Sequence, residues 1–124
     1  MLGMVFAEGV LKTAEYEDSY EFIRENVDGF IEHVTIPMFD EKGIDVWVNE
    51  EGKFREDLFP SAVMTFKGKI YDYLIGNLVF TRCGKDGETV SLTEEDVKFI
   101  KKSFKSAEYL IDFASGNLLP RFSY

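Results

Sequence analysis

The sequence contains one cysteine, one histidine, one tryptophan and three prolines in 124 residues. A lone Cys83 excludes an internal disulfide and a cysteine-rich zinc site. A lone His33 forces any Ser-His-Asp or Cys-His mechanism through one side chain, and no nucleophile-elbow sequence accompanies it. Its plainer role is that of a strand residue within residues 30–36. Neither Gly-x-Gly-x-x-Gly nor the P-loop pattern occurs, which excludes the standard nucleotide cradles. Residues 86–94 lack the alternating oxygen ligands of an EF-hand loop. Adjacent acids such as Glu50-Glu51, Glu56-Asp57 and Glu94-Glu95-Asp96 do not point together, so none forms an acid/base pair. The expectation is therefore no catalytic residue, no cofactor and no metal. No apolar run approaches the ~18 residues of a membrane span. The N-terminus lacks the positive region of a signal peptide. A protein of a reducing cytoplasm, without a membrane partner, is the simplest expectation. Met1 and Met4 both stand as starts.

What is present is apolar mass and acid. Hydrophobic residues make up 45% and charged residues 30%, a globular balance, and the length suits a single domain over residues 1–124. Phe, Tyr and Trp supply 15% of the chain, including Trp47, Tyr71 and Tyr73. Such rings can stack a nucleobase but more often fill a core. The net charge is −9, and it is unevenly spread. Residues 1–57 hold 15 acids and 5 bases, a net of −10, whereas residues 58–124 carry a net of +1. A field of that sign repels nucleic-acid backbones, so no direct nucleic-acid binding is expected.

The pattern along the chain predicts an α+β fold, a small antiparallel sheet packed against two main helices. Residues 2–7 and 10–14 flank the Glu8-Gly9 turn and read as a hairpin. Tyr16, Tyr20, Ile23 and Val27 recur at helical spacing, and Asp28-Gly29 ends that helix, with Gly29 free to adopt the left-handed cap. Residues 30–36 and 44–48 read as antiparallel strands, separated by a loop over 37–43 and followed by a turn at Asn49-Glu50-Glu51-Gly52. Pro60 suits the first turn of a short helix within 54–65. Residues 74–81 read as one buried strand interrupted at Gly76. Thr93 is an N-cap, with Leu92 and Val97 placed for a hydrophobic staple. Val97, Ile100, Phe104, Ala107, Ile111 and Ala114 then extend one long C-terminal helix to about Ser115-Gly116. The apolar tail 118–124 is expected to dock on the domain or on a neighbour.

Several phrases, in their order, resemble the domain-of-unknown-function family numbered 3846, of phages, plasmids and the bacteria that carry them. They are Val27-Asp28-Gly29-Phe30-Ile31-Glu32, Asp45-Val46-Trp47-Val48-Asn49-Glu50-Glu51-Gly52-Lys53, Ile75-Gly76-Asn77-Leu78-Val79-Phe80 and Gly87-Glu88-Thr89-Val90-Ser91-Leu92-Thr93-Glu94-Glu95. The resemblance covers residues 4–104 and leaves 105–124 as a helical extension and tail, a candidate homo-oligomer contact. It implies a mobile-element setting and carries no catalytic residue. Asn49, Glu50, Gly76 and Asn77 are the turn and strand candidates within it.

Two surfaces stand out. Glu17, Asp18, Glu21 and Glu25 gather on the first helix and suit a basic groove of a host protein. Lys98, Lys101, Lys102 and Lys105 fall at i, i+3, i+4 and i+7 on the last helix, where they suit an anionic ligand or simply a solvated face. The leading expectation is a non-catalytic counter-defence inhibitor of a phage or mobile element that binds a host defence protein through acid. The alternatives are a sponge-like homo-oligomer that sequesters a nucleotide immune signal through the lysines, and an uncharacterised enzyme using metal-dependent carboxylate chemistry.

Overall fold

A computed structural model describes residues 1–112 and 116–123. Strands β1 (Leu2–Ala7) and β2 (Val10–Glu15) form the expected hairpin. Glu8 and Gly9 both take positive φ, 51° and 79°, as the tightest hairpin turns require. β1 lies beside β7 (Leu78–Cys83), followed by β4 (Ile44–Asn49) and β3 (Ile31–Val34), all antiparallel. A short β8 (Thr89–Val90) extends β7. A second sheet runs in the order β6 (Lys69–Ile75), β5 (Pro60–Phe66), β10 (Leu118–Ser123), β9 (Glu108–Ile111). Its β5–β10 pair is parallel. Among the described residues the α-helices are α1 (Ser19–Val27), α2 (Pro37–Asp40) and α3 (Glu94–Ser106). The α+β class is as expected, but two sheets of six and four strands replace one small sheet.

Strand alternation explains the layering. Ile44, Val46 and Val48 of β4, with Leu78 and Phe80 of β7, turn one face of the first sheet inward. They meet Ala62, Met64, Leu74 and Phe122 from the second sheet. Phe39 of α2 sits in this core with edge-on ring contacts to Phe80, Phe99 and Phe122, at 5.4–5.9 Å between centroids. Such tilted contacts suit the aromatic quadrupole better than face-to-face stacking. The opposite face of the first sheet is covered by α1, through Phe22, Ile23 and Val27 packed with Tyr16 and Val79. Tyr20 of the predicted stripe is exposed instead, and Tyr16 precedes the helix, where its ring stacks on Phe22.

The last helix starts as its sequence predicts. The Thr93 side chain accepts from Asp96 N at 3.1 Å while Asp96 accepts from Thr93 N at 2.9 Å, a full capping box. It does not run on to 115. α3 ends at Ser106, and Ala107 is extended, with ψ 140°. Ser103 and Ser106 donate to the carbonyls of Phe99 and Lys102, each 2.8 Å away, a local bonding that weakens helix continuation. The Phe104 carbonyl, which the next helical turn would use, accepts the Tyr109 hydroxyl at 2.5 Å. Residues 108–111 pair with β10 as β9 despite their helical spacing; Ala114 and Ser115 of that stripe lie outside the described residues.

Three further expectations give way. Pro60 begins a strand, where its missing N–H costs no ladder bond, rather than a helix. Residues 74–81 are two strands: Gly76, at φ 78°, lets the chain leave β6 in one sheet and enter β7 in the other. The 37–43 segment contains α2 in place of a plain loop, opened by Pro37 in the first turn. The tail docks on its own domain: Leu119 and Phe122 are only 4% and 2% exposed.

Candidate functional site

Three side chains from outside the helix, Asn49, Arg55 and Asn77, bond the C-terminus of α1. A helix leaves its last carbonyls without partners and with partial negative charge. Asn77 Nδ2 donates to Asn26 O at 2.8 Å. Asn49 Nδ2 donates to Val27 O at 2.9 Å and to Asp28 O at 3.0 Å, while its Oδ1 accepts from Glu51 N at 2.7 Å. Arg55 reaches Asp28 O at 2.6 Å and pairs with the Asp28 and Asp57 carboxylates. The guanidinium holds the Asp57 carboxyl below its ordinary range. The left-handed cap residue is Asp28, at φ 60°, rather than Gly29. A Cβ on Gly29 would stand 2.8 Å from Asn49 Nδ2, so glycine admits the Asn49 side chain. Asn49 and Asn77 thus tie the helix to the sheet; Glu50 is exposed on the turn and Gly76 marks the change of sheet.

The acidic face is shared between the same helix, with Glu21 and Glu25, and the two residues before it, Glu17 and Asp18. Glu17, Asp18, Glu21 and Glu25 are all exposed. Asp18 also caps α1, accepting from Glu21 N at 3.0 Å, and Glu21 pairs with Arg24 at 2.9 Å. Lys98, Lys101, Lys102 and Lys105 line the exposed side of α3, and among the described residues none has an acidic partner within 4 Å.

Among the described residues, the clefts that open at the surface include two of unequal size. The larger, of about 570 Å³, lies between the β1–β2 turn, the 57–61 segment, Gly76-Asn77 and the start of β10. Its walls include Phe6, Leu58, Phe59 and Leu118, with the carboxylates of Glu8 and Asp57 and no basic side chain. The smaller, of about 230 Å³, includes Glu32, Glu50, Tyr73 and Asp72, and its one cation, Lys53, is paired with Asp72. The lysine face of α3 lines neither cleft. Of the ring candidates, Trp47 is half-buried, donating to Thr81 Oγ1 at 2.8 Å, whereas Tyr71 and Tyr73 are exposed on β6.

One grouping escaped the sequence reading. His33 Nε2 lies 3.0 Å from Asp45 Oδ1 and 3.6 Å from Asp40 Oδ1. Burial pushes the Asp40 carboxyl above its ordinary value, with His33 pulling the other way. The signal was present in the antiparallel pairing of the two strands, which sets His33 opposite Trp47 and diagonal to Asp45. No serine, threonine or cysteine hydrogen-bonds His33 among the described residues, so no nucleophile–base pair is assembled there.

The family model described as Domain of unknown function (DUF3846) matches residues 3–105. The chain belongs to that family. Comparison with curated proteins and with solved structures gives no match. Three of the phrases on which the DUF3846 resemblance rests, around Asp28-Gly29, Asn49-Glu50-Glu51-Gly52 and Gly76-Asn77, meet at the α1 terminus. Their work there is to satisfy a helix end. The two clefts adjoin that junction: Gly76 and Asn77 also line the larger, and Asn49, Glu50 and Gly52 the smaller. No helix among the described residues is long and apolar enough to cross a membrane.

Proposed function

We propose that this protein is a non-catalytic binding module of a phage or other mobile element that occupies a basic surface of a host defence protein. The observation that carries this reading is the sign of the charge where the surface is concave. The larger cleft combines apolar walls with the exposed Glu8 and with Asp57, which is paired with Arg55 beside the cleft, and among the described residues no basic side chain lines it. The exposed acids of α1 extend the same sign over the N-terminal half. Such a surface attracts lysine- and arginine-rich grooves and speeds their encounter.

The test is a pull-down from a bacterium carrying nucleases or restriction systems, alongside an immunity assay on expression. Recovery of no defence protein, with immunity intact, sinks the reading. The variant carrying Glu17→Gln, Asp18→Asn, Glu21→Gln and Glu25→Gln should bind the recovered partner about tenfold more weakly at low salt, if each exposed pair contributes about 0.4 kcal/mol. Asn is as good a helix cap as Asp, so α1 should keep its start. The two proteins should converge in affinity at high salt, where exposed charges are screened.

A second reading rests on the four unpaired lysines of α3, which suit an anionic nucleotide. They form a convex helix face, so a pocket for that ligand needs a second copy of the chain. Isothermal titration with a panel of cyclic nucleotides decides it. Binding that vanishes in the Lys98→Glu, Lys101→Glu, Lys102→Glu, Lys105→Glu variant supports sequestration, and flat traces with the unaltered protein discard it.

A further inference from the structure

His33, Asp40 and Asp45 come from three different segments and converge at one edge of the first sheet. Their donor atoms, one imidazole nitrogen and two carboxylate oxygens, all lie within 4.8 Å of one another. A tetrahedral metal with bonds of about 2.0–2.2 Å has ligand–ligand edges of about 3.3–3.6 Å. The two edges from His33 Nε2, 3.0 and 3.6 Å, bracket that span. The third edge, between the two carboxylate oxygens, is no longer than 4.8 Å.

The supports are fixed before any ion arrives. β3 and β4 are paired, so His33 and Asp45 share a face at a set register. Asp40 follows Phe39, which is wholly buried in the core. The His33 ring stands edge-on to Trp47 at 5.3 Å, and Trp47 is itself held by Thr81. Preorganised ligands of this kind lose little freedom on binding.

The two carboxylates also lack a fixed cation, facing one imidazole whose Nε2 hydrogen-bonds Asp45 Oδ1. Neither Asp40 nor Asp45 has a Lys or Arg within 4 Å among the described residues. Placing two carboxylates close together is costly, and a metal cation between them removes the cost.

From these observations, the geometry points to a site for a divalent transition metal of the zinc class, held by His33 Nε2 and one oxygen each of Asp40 and Asp45. The mixed nitrogen and oxygen donors suit zinc, cobalt or nickel better than calcium or magnesium, which take all-oxygen shells. Three protein ligands leave a coordination position to water, and the partial exposure of all three side chains gives the ion a path in. The site is independent of the protein-binding surface proposed for the acidic half.

The molecule contains its own reporter. Trp47 is the single tryptophan and touches His33, so a paramagnetic ion bound there should quench its emission. Titration with Co²⁺ is expected to give saturable quenching at one equivalent, reversed by Zn²⁺ and by a chelator. His33→Ala should abolish it, and Asp40→Asn and Asp45→Asn should each weaken Co²⁺ at least about tenfold. Far-UV circular dichroism checks that each variant is folded; the two Asn variants are close in shape and keep the test open if His33→Ala unfolds. Absence of saturable quenching up to millimolar Co²⁺ overturns the assignment. So does quenching unchanged in the folded variants, which would place the ion elsewhere.

Discussion

Deleting residues 107–124 is expected to leave a chain that no longer unfolds cooperatively. The family model ends at residue 105, which invites treating the last strands as an appendage. The structure places β10 inside the second sheet, between β5 and β9. Phe122 contacts Phe39 and Phe104 at 5.5 and 5.2 Å between ring centroids. Removing one such buried ring by Phe→Ala costs about 3–5 kcal/mol. The deletion removes Phe122, Leu119 and the hydrogen-bonded neighbour of β5 together, against a total stability of about 5–15 kcal/mol for an ordinary domain. It also leaves β5 as an open edge of apolar side chains, a template for aggregation. Thermal melting followed by circular dichroism reads the result. The single change Phe122→Ala should still fold, with about 4 kcal/mol lost. A sharp melt in the deleted chain would show that β10 adds little.

Asn49→Ala is expected to cost about 3 kcal/mol, far more than most single polar changes on a strand. The side chain is 6% exposed and makes three hydrogen bonds, two of them to the last carbonyls of α1. Alanine leaves the Val27 carbonyl buried without a donor, at about 1–3 kcal/mol, and the lost bond to Glu51 N adds about 1 kcal/mol, while the Asp28 carbonyl keeps Arg55. Urea unfolding should show a lower midpoint with an unchanged slope. Asn49→Asp is a sharper probe: it keeps the acceptor for Glu51 N but turns a negative charge toward the helix's negative end. It should be at least as damaging as alanine. An alanine variant within about 0.5 kcal/mol of the parent would mean that water replaces the side chain at the helix end.

What the sequence revealed about the fold depended on how far apart the deciding partners lie. The hairpin at Glu8-Gly9, the Thr93 cap and the β3–β4 pair are set by neighbours within a few residues or one loop, and all were legible. The second sheet was not. β5 is sandwiched between β6 and β10, so Ala62, Val63, Met64 and Thr65 are all buried and its apolar run loses the period of two that marks a half-exposed strand. Residues 108–111 keep helical spacing with α3 but take their backbone partners from β10. The run 74–81 reads as one strand until two sheets claim its halves. The candidate surfaces divide in the same way. The acidic and lysine faces follow from spacing on single helices. The clefts and the His33, Asp40, Asp45 grouping arise only when segments distant in the chain are brought together.

The position of β10 carries a consequence for synthesis. Thr65 of β5 donates to the carbonyl of Phe122, 57 residues later. While the ribosome is still making that stretch, β1 through α3 can emerge and form local structure, but the second sheet lacks an inner strand. The nascent chain therefore shows a β5 with one sticky, open edge for the time needed to translate those residues, several seconds at about 5–20 residues per second. Completion is a late, all-at-once event, so the growing chain presents chaperones with one defined segment and one defined interval in which to bind it.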